Sequence, residues 1–130
     1  MKGDTLPHGS GRCLCILIVE DEPIIAMDLQ FIFEDRGYAV LGPAGSVDMA
    51  LRLLDQASPD VAVLDANLCG HSVAPVAERL RSLGIPFVVS SAYNAAQLQI
   101  HEVLANVENV HKPFQQNRLL AAVTRALGSE

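Results

Sequence analysis

The sequence lacks tryptophan, contains only three cysteines and has no hydrophobic run long enough to cross a membrane. A membrane-spanning helix needs about 20 consecutive apolar residues, and the longest apolar run here extends only from Cys13 to Val19. Residues 1–12 are polar and lack the apolar stretch of a signal peptide. We therefore expect a cytoplasmic protein without a membrane contact, and a flexible tail over residues 1–12.

Cysteine is too scarce to build a disulfide framework or a zinc site. Cys13, Cys15 and Cys69 cannot all pair, and no histidine stands at zinc-ligand spacing from them. We expect reduced, buried cysteines, as in most cytosolic proteins. The histidines are expected on the solvated surface, in the cases of His71 and His101 on helices, without a catalytic or metal-binding role.

Basic residues are also few. Nine Lys and Arg stand against 15 Asp and Glu, which gives a net charge of −6 and a pI near 5.1. Such a chain has no surplus of cations to neutralise nucleic-acid phosphates, so we expect no nucleic-acid binding. With 130 residues, half of them hydrophobic, the chain can bury the core of one domain, which we place at residues 13–128.

Apolar runs alternate along this domain with stretches of helical periodicity. The runs are Cys13–Val19, Tyr38–Leu41, Val61–Leu64, Phe87–Ser90 and a weaker one at Val107–His111. Several are apolar at every position, which suits parallel strands covered on both faces. The helical stripes are Ile25, Leu29, Ile32 and Phe33; Val47, Ala50, Leu51 and Leu54; Val73, Val76, Ala77 and Leu80; a weak one at residues 94–104; and Leu119, Val123, Ala126 and Leu127. Pro23 and Ser46 are suited to begin the first two helices. The alternation predicts an α/β fold with a doubly wound parallel sheet.

Polar residues stand where the hydrophobic runs end. In doubly wound sheets, ligands bind outside the carboxyl ends of the strands. Glu20 and Asp21 follow the first run and Asp65 the third, Ser90 and Ser91 end the fourth, and Lys112 follows the fifth. We expect Glu20, Asp21 and Asp65 to converge in one shallow cleft.

The residues expected in this cleft indicate the reaction that it supports. Clustered carboxylates repel one another, and a hard divalent cation, together with the ammonium of Lys112, would relieve that repulsion. A carboxylate beside such a cation is a competent nucleophile toward phosphorus. The residues therefore predict an aspartyl-phosphate site at Asp65.

Four segments resemble the signature blocks of response-regulator receiver domains, the phosphoacceptor modules of two-component signalling. They are ILIVEDEP, VLDAN, PFVVSSAY and HKPF, in the order in which the family has them. The resemblance covers about residues 13–127. It implies a (βα)5 flavodoxin-like fold whose five-stranded parallel sheet has the strand order 2-1-3-4-5.

The resemblance also implies the roles of individual residues. Asp65 would be the phosphoacceptor, and Ser91 and Lys112 would contact the phosphoryl group. Mg²⁺, for which Mn²⁺ can substitute, would be held by Glu20, Asp21, Asp65 and the backbone carbonyl of Asn67. The residues expected to change on phosphorylation are Ser91, Ala92, Tyr93 and Asn109.

The function implied is that of a phosphorylation-dependent switch. A histidine kinase or histidine phosphotransfer protein would donate the phosphoryl group, and a downstream protein partner would read the changed surface. The domain would not be an enzyme beyond self-phosphorylation and slow autodephosphorylation, and it would be a monomer or weak dimer. It would be a stand-alone regulator or a module excised from a larger regulator or hybrid kinase.

Three other functions compete with this interpretation. A phosphatase of the haloacid dehalogenase type also uses an Asp nucleophile, but it needs a second acid where Asn67 stands. An FMN carrier needs a loop that cradles phosphate after the first strand, and Glu20-Asp21-Glu22 would repel that phosphate. A degenerate receiver that only binds a partner is disfavoured because each residue of the phosphorylation site is present.

One residue departs from the family pattern, and one segment is a variant of it. Asn109 stands where most receivers have an aromatic ring that turns inward on activation, and an amide cannot fill an apolar pocket without unmet hydrogen bonds. The segment Ser90-Ser91-Ala92-Tyr93 is similar to a variant found in an alphaproteobacterial receiver subfamily. We expect the loop after the fourth strand and residues 94–104 to transmit the signal, and Tyr93 to shield the phosphoryl group from water.

Overall fold

The computed structural model describes residues 13–68, 70–91, 109–111 and 116–128, with the backbone alone described at 67, 91, 109–111 and 116–117. The strands in these ranges are β1 (Cys15–Val19), β2 (Ala39–Ala44), β3 (Val61–Asp65), β4 (Asn67–Leu68), β5 (His71–Ser72), β6 (Phe87–Ser91) and β7 (Asn109–His111). The helices are α1 (Pro23–Asp35), α2 (Val47–Gln56), α3 (Ala74–Ser82) and α4 (Gln116–Gly128). None of the described helices is long and apolar enough to cross a bilayer. The predicted tail at 1–12 and the predicted helix at 94–104 lie outside the described residues.

The main sheet has five parallel strands in the order β2-β1-β3-β6-β7. Counted over the five predicted strands this is 2-1-3-4-5, so the predicted flavodoxin-like fold is confirmed. The order reverses between β1 and β3, and the carboxyl ends of these two strands therefore flank the crevice in which such folds bind ligands.

The first two helices begin as their sequences predict. Pro23 opens α1, where its missing N–H costs nothing. The hydroxyl of Ser46 accepts a hydrogen bond of 3.1 Å from the backbone N–H of Met49, which caps α2. Both helices thus start directly at the carboxyl end of the sheet.

Two separate apolar cores cover the two faces of the sheet, because successive strand residues point to opposite sides. The core under α2 and α3 includes Leu17, Val19, Ala50, Leu54, Ala62, Leu64, Val76, Ala77, Leu80 and Val89. The core under α1 and α4 includes Ile16, Ile18, Leu29, Phe33, Val61, Val63, Val88, Leu119, Ala122 and Val123. The predicted helical stripes supply most of the helical members, although Val73 lies at the N-cap of α3 rather than within it.

The boundaries of the first two strands differ from the prediction. β1 begins at Cys15 rather than Cys13, and β2 continues to Ala44 instead of ending at Leu41. The pairing register between them shifts by one residue beyond Leu17, so β2 contains an extra residue near its Gly-Pro dipeptide. Gly and Pro ordinarily end strands, but an edge strand tolerates both at a bulge.

A short antiparallel hairpin of β4 and β5 connects β3 to α3 and was not predicted. His71 lies in β5 and is exposed, so its placement on a helix was wrong, although its exposure was right. Gly70 has a φ of 83°, which permits the tight turn between the two strands. Strands of two residues are too short to show any periodicity in sequence.

The described thiols lie at the opposite, amino-terminal end of the sheet. The thiol of Cys13 donates to the carbonyl of Gly37 at 2.8 Å. Burial raises the pKa of the Cys15 thiol, and the nearby Asp60 and Cys13 raise it further. Neither thiol forms a disulfide. Cys13 is exposed and Cys15 half-buried, so their predicted burial was wrong, because both stand before the buried residues of β1. Cys15 stays protonated at neutral pH, which makes it a poor nucleophile. Cys69 lies outside the described residues.

Gly42 is predicted to be essential for the path of β2 beside β1. Its φ is +94°, and an added Cβ would lie 2.8 Å from the backbone nitrogen of Ala44 and 3.0 Å from the carbonyl oxygen of Ile18. We expect Gly42→Ala to lower the free energy of unfolding by about 2 kcal/mol or more, measured by urea denaturation.

Gly37 provides the matched control for this substitution. Its φ is +88°, but apart from Gly37 itself and its two chain neighbours, no heavy atom of the described residues lies within 4 Å of an added Cβ. Gly37→Ala therefore carries only the backbone penalty, about 1 kcal/mol. Equal losses of unfolding free energy in the two variants would show that the close contacts at Gly42 do not contribute to the effect.

Candidate functional site

Three carboxylates meet at the carboxyl edge of the sheet. Glu20 and Asp21 follow β1 directly, and Asp65 is the last residue of β3. Each offers one oxygen, and these three oxygens lie within 4.8 Å of one another. The structure thus brings together the acidic residues that the sequence singled out.

The strand register explains why these side chains meet. Val19 of β1 pairs with Leu64 of β3, so the next residue of each strand, Glu20 and Asp65, shares a row. Glu20 is only 2% exposed and Asp65 6% exposed, whereas Asp21 is half-buried. The two innermost carboxylates are therefore held in a largely desolvated position.

Backbone contacts fix the position of Glu20. The N–H of Glu22 donates to Oε2 of Glu20 at 3.1 Å. The N–H of Glu20 donates to the carbonyl of Ala44 at the end of β2, at 2.9 Å. The chain between β2 and α2 also lies close, since an added Cβ on Gly45 would be 4.0 Å from the Cα of Asp21. Backbone groups just before α1 and at the end of β2 therefore hold Glu20 from two sides.

The electrostatics of the cluster favour a cation. Three carboxylates at this separation repel one another, and burial of two of them reduces the screening by water. All the ligand atoms are oxygens, which hard divalent cations prefer. Oxygens bound to one Mg²⁺ at about 2.1 Å lie roughly 3–4 Å apart, and the three carboxylate oxygens here lie within 4.8 Å of one another. The residues fit such an ion.

A third strand contributes a buried polar residue to which the sequence assigned no role. Ser90 of β6 pairs with Asp65 of β3 and is 1% exposed. The sequence places the Ser-Ser pair at the end of the fourth predicted strand but assigns a role to Ser91 alone. Among the described residues, the buried polar or charged side chains are those of Glu20, Asp65 and Ser90, and all three belong to this edge.

The remaining predicted residues are only partly described. The backbone of Ser91 ends β6 and pairs with His111, and that of Asn109 begins β7 opposite Val89. The backbone of Asn67 begins β4, two residues after the cluster's Asp. The other predicted site residues, Lys112, Ala92 and Tyr93, lie outside the described residues. The roles assigned to these six residues stay predictions.

The fold and the site together define a class, namely a doubly wound α/β domain with a carboxylate cluster at its switch point. The sequence profile described as "Response regulator receiver domain" matches residues 16–124. The chain therefore belongs to the receiver domains of two-component response regulators, which confirms the resemblance found in its sequence.

Individual relatives agree with this membership. The transcriptional regulatory protein PdtaR of Mycobacterium tuberculosis is 30% identical over 129 residues, which are 98% of this chain and 63% of PdtaR. The phyllosphere-induced regulator PhyR of Methylorubrum extorquens is 31% identical over 115 residues, 86% of this chain and 43% of PhyR. The chain thus spans less than two thirds of these curated relatives.

Solved structures show the same fold. The receiver domain of PhyR from Erythrobacter litoralis superposes with a TM-score of 0.81 at 25% identity, over 92% of this chain and 94% of that domain. PhyR from Brucella abortus gives a TM-score of 0.79 at 31% identity, over 90% of this chain and 49% of that protein.

Proposed function

We propose that the domain is a phosphorylation-dependent signalling switch in which Asp65 accepts a phosphoryl group from a phosphohistidine. The observation that carries the proposal is the position of the Asp65 carboxylate, buried at the switch point with oxygens of Glu20 and Asp21 within 4.8 Å. The donor would be a histidine kinase or a histidine phosphotransfer protein.

The transfer forms one bond and breaks one. One oxygen of Asp65 attacks phosphorus, the P–N bond to the donor histidine breaks, and its electron pair stays on the imidazole nitrogen. The product is an acyl phosphate on Asp65. Glu20, Asp21, Asp65 and the carbonyl of Asn67 would hold Mg²⁺, or Mn²⁺ in its place. That ion would offset the charge on the transferring oxygens.

The charge added by phosphorylation would change the surface that partner proteins bind. Phosphorylation adds about −1.5 to −2 charges at neutral pH, placed beside two further carboxylates. Ser91 and Lys112 would turn toward the phosphoryl oxygens, and the surface near Tyr93 would change for a downstream protein. The domain would be a substrate and a switch, with slow autodephosphorylation as its only turnover.

The test uses the intact chain, a small phosphodonor and mass spectrometry. With acetyl phosphate or phosphoramidate and Mg²⁺, the mass should increase by one phosphoryl group, and EDTA should prevent the increase. A chain that stays unlabelled with both donors at millimolar Mg²⁺ would contradict the proposed function.

Helix α1 offers a surface on which the protein donor would bind. Ile24, Met27 and Phe31 are 75%, 63% and 71% exposed, and their spacing places them on one side of the helix. The helix begins directly after the acidic cluster, so a protein whose histidine reaches Asp65 must cover its first turns. Exposed apolar patches of this kind commonly mark binding surfaces.

Removal of this patch should slow phosphotransfer from protein donors but not from small-molecule donors. We expect the double variant Ile24→Ala, Phe31→Ala to slow phosphotransfer from phosphorylated host histidine kinases by about tenfold or more, and to leave the rate with acetyl phosphate unchanged. Leu83→Ala is the control, because Leu83 is 48% exposed but follows α3, away from the cluster. Unchanged transfer from the kinase that phosphorylates the wild type would rule out this surface.

A further inference from the structure

The buried polar residues at the carboxyl edge form one row across three neighbouring strands. Val19 pairs with Leu64 and Asp65 pairs with Ser90, so Glu20, Asp65 and Ser90 follow one another across β1, β3 and β6. Neighbouring strands are about 4.8 Å apart. Ser90 is therefore the immediate neighbour of the phosphoacceptor.

The three members of the row also point to the same side of the sheet. Two residues earlier in each strand stand Ile18, Val63 and Val88, and all three belong to the core under α1 and α4. Since side chains alternate along a strand, residues two positions further along each strand face the same side of the sheet. The hydroxyl of Ser90 and the carboxylate of Asp65 thus lie above one core.

The Ser90 hydroxyl lacks a hydrogen-bond partner within the described part of the chain. Its oxygen is buried, and a buried hydroxyl without a partner is unfavourable and calls for an explanation. A hydrogen bond that forms when the phosphoryl donor binds can hold the reacting carboxylate in its attacking orientation, and such positioning raises the rate of the chemical step.

We infer that Ser90 is a positioning residue for Asp65. Its hydroxyl donates to the oxygen of Asp65 that does not attack phosphorus, once the phosphoryl donor is bound, and fixes the rotamer in which the other oxygen faces the donor. This inference rests on the proposed function, and it concerns a residue distinct from Ser91, whose hydroxyl is assigned to the phosphoryl oxygens.

The test compares Ser90→Ala, Ser90→Thr and wild type in two measurements. In thermal unfolding without metal, Ser90→Ala should melt at or above the wild-type temperature, because it removes an unpaired buried hydroxyl. In phosphorylation by acetyl phosphate, its maximal rate should fall about tenfold while the half-saturating donor concentration stays constant. Ser90→Thr, which keeps the hydroxyl, should recover most of the rate.

The outcomes separate this inference from the proposed function. Ser82→Ala is the control, since the Ser82 hydroxyl is exposed and bonds to Arg79 at the end of α3, and neither measurement should change. If wild type is labelled and Ser90→Ala is labelled at the same maximal rate, Ser90 has no positioning role. A melting temperature of Ser90→Ala several degrees below wild type would show a partner in the resting state and overturn the inference. Absence of labelling in wild type would overturn both.

Discussion

Substitution of Asp65 by Asn is expected to abolish phosphorylation of the chain by acetyl phosphate, with no label detectable by intact mass. The amide has nearly the shape of the carboxylate but cannot attack phosphorus. Asp65 is 6% exposed beside two other acids, so the neutral amide should be accommodated without loss of stability. The melting temperature of the variant should therefore equal or exceed that of the wild type.

The control for this substitution is Asp35→Asn, which removes the same charge from an exposed position at the end of α1. It should be labelled like the wild type. Full labelling of Asp65→Asn would mean that another side chain accepts the phosphoryl group. Labelling of both variants at half the wild-type level would point to a second, independent acceptor.

The second large effect concerns the affinity for Mg²⁺. Asp21→Asn removes one of three carboxylates whose oxygens lie within 4.8 Å, so the dissociation constant for Mg²⁺ should rise at least about tenfold. Without metal the same change relieves repulsion and should raise the melting temperature by about 2–5 °C. Calorimetric titration and thermal unfolding with and without EDTA measure the two effects.

Glu22→Gln is the matched control, because Glu22 is exposed and stands one residue beyond Asp21. Its backbone N–H, which bonds to Glu20, is preserved in the variant. A similar loss of Mg²⁺ affinity in both variants would show that the loss comes from the change in net charge and not from removal of a metal ligand. A clear fall in the melting temperature of metal-free Asp21→Asn would contradict the repulsive cluster.

Much of the fold could be predicted because its signals are local and strong. Runs such as Ile16–Val19 and Val61–Leu64 are apolar throughout, as buried parallel strands require. The approach of Glu20 and Asp65 followed from the rule that parallel strands present their carboxyl ends at one edge. The resemblance to the receiver family added the strand order, which periodicity alone could not supply.

The parts that sequence reasoning missed depend on pairing between distant segments. Whether β2 ends at Leu41 or continues past Gly42 is decided by its bonds to β1 and not by its own composition. The hairpin of β4 and β5 depends on a turn at Gly70. The sequence places Ser90 at the end of a strand, but only the pairing register places it beside Asp65, and the composition of neither strand determines that register.

The division of the interior into two cores has an evolutionary consequence. The row of Glu20, Asp65 and Ser90 continues the core under α1 and α4, whereas the other core lies on the reverse side of the sheet. Substitutions that are not in contact usually have additive effects on stability. Helix residues under α2 and α3, such as Leu54 and Leu80, lie across the sheet from this row. Changes in their packing can therefore accumulate in a lineage with less effect on Glu20, Asp65 and Ser90 than changes under α1 and α4.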